Sequence, residues 1–87
     1  MTTMDHDTAQ ARVFLNQLHA EIEILSQRIE DAQARARQAR AVDRGLAERF
    51  RAEAAALRRQ LHEAQQLVDR LVFRFPAVRS ADDVSSP

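Results

Sequence analysis

Small and apolar residues recur along this chain in alternating steps of three and four. The first series is Ala11, Leu15, Leu18, Ile22, Leu25, Ile29, Ala32, Ala36 and Ala39; the second is Ala47, Phe50, Ala54, Leu57, Leu61, Ala64, Val68, Leu71 and Phe75. Residues between these positions are mostly charged or polar. Alternating threes and fours make the a/d stripe of a heptad, the pattern of a helix that buries one narrow seam. The two series are also mirror images. Leu15 and Leu71 have numbers that sum to 86, as do Leu18 and Val68, Ile22 and Ala64, Leu25 and Leu61, Ile29 and Leu57, and Ala36 and Phe50. A chain that folds back near residue 43 therefore sets each a position against a d position. Large faces small at Ala36–Phe50, Ala11–Phe75 and Ile22–Ala64, which fills a seam without voids. The expected fold is all-α, a two-helix antiparallel coiled-coil hairpin.

Gly45 is the one glycine and marks the closed end of the hairpin. The predicted turn is 43–45, with Gly45 taking the positive φ that a helix C′ position often demands. Asp43 is alternatively the N-cap of the second helix. The first helix is expected over 8–42, capped by Asp7 or Thr8, with Gln10 completing a capping box on Asp7. The second is expected over 46–75, with Glu48 in its first turn. Pro76 cannot continue a regular helix and biases Phe75 away from the helical region. Residues 1–7 read as a flexible N-terminus. Residues 76–87 lack periodicity and read as a flexible tail.

Two helices close only one seam, and chains this small commonly need a disulfide, a metal or a partner. The chain has no cysteine, so neither a disulfide nor a thiolate metal site is available. A partner remains. The formal net charge is zero and all thirteen basic residues are arginine. Their placement is uneven. Residues 1–34 hold two arginines and six acids, residues 35–59 eight arginines and three acids, and residues 60–87 three arginines and four acids. The tip of the hairpin is therefore basic and its open end mildly acidic. The last turns of the first helix carry Arg35, Arg37 and Arg40, where positive charge suits the helix dipole. No apolar run approaches the length of a membrane span. The N-terminus shows no basic signal-peptide region, and the lack of cysteine fits a reducing cytoplasm.

Candidate chemistry is sparse. His6, His19 and His62 fall at different levels of the hairpin, with only the weak pairs His19–Glu23 and His62–Gln66 at ligand spacing. No phosphate loop or nucleophile elbow is present. Acids and arginines are spaced as a solvated helix face with local pairs such as Asp31–Arg35. The expectation is a non-enzyme with no metal and no cofactor. Nucleic-acid binding at the basic tip is disfavoured, because Asp43, Glu48 and Glu53 interrupt the arginines and the one aromatic there, Phe50, belongs to the seam.

The more informative residues are apolar ones outside the stripe. Phe14 and Leu67 occupy g positions, Val72 an e position, Ile24 a c position and Phe73 an f position, with Val13 nearby. Most gather at the open end. Exposed apolar residues rimmed by charge mark protein contact sites. Phe14, Leu67, Val72, Phe73 and Ile24 are therefore the candidate partner-binding residues, with covering of Pro76 a competing role for Phe73.

The C-terminal run Leu71-Val72-Phe73-Arg74-Phe75-Pro76-Ala77-Val78 sets aliphatics before aromatics around an arginine and leads into a short polar tail. With a two-helix chain turning near its middle, this resembles the small helical-hairpin co-chaperones of type III secretion systems, the E-type needle chaperones. The resemblance spans about residues 8–80. Phe73 and Phe75 stand where those proteins often carry tyrosine, and the abundance of alanine and arginine is a further departure. The resemblance implies a cytoplasmic protein that pairs with a tetratricopeptide-like co-chaperone and keeps a secretion needle subunit soluble before export. Two other readings stay open. One is a homodimeric four-helix bundle with a regulatory or RNA-binding role. The other is a coiled-coil finger that enters the secondary channel of RNA polymerase; such fingers carry acids at the tip, whereas Asp43 and Glu48 here stand among arginines.

Overall fold

A computed structural model describes residues 6–79. The expectations for residues 1–5 and 80–87 lie outside the described residues. Helix α1 spans His6–Ala39 and helix α2 spans Arg44–Arg74. They pack against each other along their length as an all-α helical hairpin. At 1.5 Å per residue, 34 residues of α1 extend about 50 Å. The backbone measures 65 × 25 × 14 Å, so the molecule is a single layer of two helices.

The seam follows the a/d stripe. Ala11, Leu15, Leu18, Leu25, Ile29, Ala32, Ala36 and Ala39 are buried on α1, and Ala47, Ala54, Leu57 and Ala64 on α2. Leu25, Ile29 and Leu57 form one apolar cluster with Leu61 packed against it, in the register that pairs Leu25 with Leu61 and Ile29 with Leu57. The remaining stripe residues, Ile22, Phe50, Leu61, Val68, Leu71 and Phe75, are half-buried. In a single layer the seam has no third helix above it, so its alanines and several leucines are enclosed while both stripe phenylalanines, Leu61 and Leu71 keep an exposed edge.

The turn lies earlier than the position of the glycine suggests. Residues 40–43 make it. The Val42 and Asp43 N–H groups both donate to the Ala39 carbonyl, at 3.0 and 2.7 Å. These bonds close the end of α1 without any left-handed residue. Asp43 then begins α2 as its N-cap: φ is −149° and ψ 103°, and the Leu46 N–H donates to Asp43 Oδ1 at 3.1 Å. Gly45 therefore sits inside the first turn of α2, and its φ is not positive. The expected role of Gly45 as the turn residue is corrected; the capping role of Asp43 replaces it. One consequence is that Glu48 falls beyond the first turn of α2. At the other end Asp7 lies within the first turn of α1, not ahead of it, so the expected capping box is not formed.

The open end is closed by a segment expected to be a flexible tail. Phe75 leaves the helix at φ −129°, ψ 71°, as a residue before proline must, and its N–H still donates to the Leu71 carbonyl at 2.8 Å. The chain then takes one helical turn over residues 76–79, with the Val78 N–H donating to the Phe75 carbonyl at 3.0 Å. Val78 is fully buried and clusters with Ala11 and Leu15; Val68, Leu71, Val72 and Phe75 pack around them. This turn supplies the third element that the seam lacks elsewhere. Surface charge adds little: the recorded ion pair among the described residues joins Arg51 to Glu48. The expected Asp31–Arg35 pair is not made, since Asp31 Oδ1 instead accepts from Gln27 Nε2 at 3.4 Å.

Candidate functional site

An antiparallel seam has two flanks. The e positions of both helices line one, and the g positions line the other. Each flank carries a groove.

The g-flank groove lies at the open end. Its volume is about 380 Å³, and Ala11, Phe14, Leu71 and Phe75 form its apolar lining while Asp7, Gln10 and Arg74 stand at its rim. The Arg74 guanidinium lies 5.5 Å from the centre of the Phe75 ring, a cation–π contact that holds the rim residue over the aromatic. Phe14 is 43 % exposed and Leu67, one turn before Leu71 on the same row of α2, is 40 % exposed. The row Leu67–Leu71–Phe75 and Phe14 thus make a continuous apolar strip with one charge of each sign at its end.

The five sequence-predicted contact residues do not share one face. Phe14 and Leu67 belong to this strip. Ile24, 54 % exposed at a c position, lies beside the g flank about 15 Å farther along α1 than Phe14. Phe73 is 89 % exposed at an f position, so it points away from the seam and does not cover Pro76. Val72 lies apart from this strip. It is half-buried on the e flank, packed against the Ala11–Leu15–Val78 cluster. The cause is Val78, which the sequence pattern left in the tail. Leu71 and Phe75 also line the groove, and the sequence reading did not single them out. Both belong to the a/d stripe, which by itself reads as buried; only the thinness of the fold exposes their outer edges.

The e-flank groove lies toward the tip. Its volume is about 450 Å³, with Ala36 and Ala54 in its lining and Arg37, Arg40, Arg51 and Arg58 around it. No acidic residue lines it. Among the described residues no group of three or more His, Cys, Asp or Glu is placed to hold a metal ion, and no helix is long and apolar enough to cross a membrane. Neither groove brings together a nucleophile and a base. What the g-flank groove can do is cover, and be covered by, an apolar ridge of another chain.

Comparison with known proteins finds no match to a family model, a curated protein or a solved structure.

Proposed function

We propose that this hairpin is a non-enzymatic docking module whose open end seats an amphipathic helix of a different protein. The observation that carries the reading is the strip formed by Phe14, Leu67, Leu71 and Phe75, apolar, partly exposed and lining a groove beside Asp7 and Arg74. A helix laid in such a groove presents apolar residues at i, i+3 or i+4, and i+7. The mixed rim fixes its direction through one acidic and one basic contact. The hairpin in turn stabilises the partner by covering a face that the partner cannot bury alone.

The specific form we propose is a cytoplasmic co-chaperone that pairs with a tetratricopeptide-like chaperone and keeps a type III secretion needle subunit soluble before export. Its support is the resemblance of the two-helix layout and of the run from Leu71 to Val78. Tetratricopeptide units are themselves helical hairpins, so their outer helices are suitable ridges for this groove. The half-exposed residues of α2 also suit a second copy of the chain, which is the alternative of a four-helix bundle. The RNA polymerase finger has less support, because Asp43 is engaged in capping and Glu48 is bonded to Arg51.

Co-expression with a candidate tetratricopeptide chaperone, followed by affinity capture and light scattering, tests the proposal. The expected result is a heteromeric complex with the parent chain and none with Phe14→Asp or Leu67→Asp, both variants remaining helical by circular dichroism. Capture by the two variants equal to the parent contradicts the docking face. A stable homodimer that the same substitutions dissolve transfers the face to the four-helix alternative.

A further inference from the structure

The arginines of the tip are interleaved with acids along the chain but not in the fold. Arg51 and Arg58 are seven residues apart and share the e position of α2; Arg40 shares it on α1, and Arg37 stands beside it at b. Folding gathers these four into one groove over Ala36 and Ala54. Glu53, at a g position, is sent to the opposite flank. Asp43 is committed to the N-cap of α2, and Glu48 to Arg51. The helix dipole accounts for Arg37 in the last turn of α1. It does not account for Arg51 and Arg58, which lie in the interior of α2. Arg51 is paired with Glu48, and Arg37, Arg40 and Arg58 leave the groove with a net positive lining that contains no carboxylate.

We propose that this groove is a binding site for a chain of linked phosphates. Arginine's planar fork bonds phosphate oxygens in pairs, and walls that carry two arginines each can grip successive phosphates from both sides. The charges of Arg51 and Arg58 are spread over about 10 Å of groove, which calls for an extended anion and not a single phosphate. The small floor residues Ala36 and Ala54 let a thin phosphate chain lie low between the arginine walls. No aromatic residue lines the groove. The site therefore reads the phosphate chain, not bases stacked upon it. The same chemistry is offered by a free polyphosphate and by a nucleic-acid backbone.

The test uses the full chain with three probes: inorganic tripolyphosphate followed by calorimetry, a fluorescein-labelled single-stranded oligonucleotide and a labelled poly-glutamate peptide followed by anisotropy. The variant is Arg51→Ala with Arg58→Ala. The control is Arg35→Ala with Arg49→Ala, the same charge removed at g and c positions on the other flank. Binding of tripolyphosphate or of the oligonucleotide, weakened about tenfold or more by the groove variant and at most about twofold by the control, supports the site. Affinity should fall steeply between about 50 and 200 mM salt. Tripolyphosphate alone binding assigns a free ligand, and the oligonucleotide alone assigns a nucleic-acid backbone. Neither probe binding the parent chain, equal losses in the two variants, or poly-glutamate binding as tightly as the phosphates overturns it. Circular dichroism of each variant separates loss of the site from loss of the fold.

Discussion

Val78→Ala asks whether the turn beyond Pro76 is part of the folded unit. Val78 is fully buried among Ala11, Leu15, Val68, Leu71, Val72 and Phe75. Trimming valine to alanine removes two methyl-sized groups, about 1.6 kcal/mol at roughly 0.8 per group. The cavity left between two helix ends adds a further amount on the order of 1 kcal/mol, because helices held by their own seam cannot collapse into it. The expected loss is therefore about 2–3 kcal/mol, a large share of the stability of a small domain. For a chain of this size it corresponds to a fall in Tm on the order of 10–20 °C. Thermal and urea unfolding followed by circular dichroism read it directly. Val42→Ala is the control: Val42 is 86 % exposed in the turn, and its loss should cost no more than about 0.5 kcal/mol. Combining Val78→Ala with Leu15→Ala should give a non-additive effect, since the two residues share a cluster. Combining it with Leu57→Ala, which lies in the other cluster, should be additive. A Val78→Ala protein as stable as the parent, with additive behaviour in both pairs, refutes the closed open end.

The other predictions concern the turn and the docking strip. Gly45→Ala should raise stability by about 0.5–1 kcal/mol, because Gly45 lies within a helix and a Cβ there meets Asp43 Oδ1 at an ordinary 3.4 Å; a lower Tm would mean that the glycine is required by the turn after all. Asp43→Ala removes the N-cap bond to Leu46 and should cost about 1 kcal/mol, with Asp43→Asn or Asp43→Ser retaining most of it by the same unfolding assay. Phe14→Asp should weaken capture of a helical partner at least about thirtyfold. The exposed part of Phe14, 43 % of a ring that can bury about 200 Å², is worth roughly 2 kcal/mol at 25 cal/mol per Å². Val72→Asp should instead lower the stability of the isolated chain, since Val72 packs on the Ala11–Leu15–Val78 cluster.

The seam was legible in the sequence because its signal is redundant. Each of many positions repeats the three–four spacing, and the mirrored numbering fixes the register. The turn was less legible because two local signals compete there. Gly45 advertises a C′ position and Asp43 an N-cap, only two residues apart. Two bonds to the Ala39 carbonyl let the first helix end earlier, so the cap prevails and the glycine is absorbed. Val78 carries no periodic signal at all, being a single valine behind a proline. Its burial depends on a tertiary gap that the sequence pattern does not display, and the inward position of Val72 follows from the same gap. Leu67 and Phe14 were readable from their g positions. The gathering of arginines was readable in principle, from the seven-residue spacing of Arg51 and Arg58 and from Arg40 at the matching e position. The linear interleaving with Glu48 and Glu53 masked it.

The absence of cysteine allows a direct test of the chain reversal. Gln17 and Arg70 are exposed, on α1 and α2 respectively, at nearly the same level of the hairpin. Spin labels at Gln17→Cys and Arg70→Cys, diluted with unlabelled protein so that only distances within one chain contribute, can be measured by pulsed electron resonance. The hairpin predicts a separation on the order of 20 Å, set by two helices in contact. A distance distribution centred near 80 Å, the span of one continuous helix between the two sites, would contradict it.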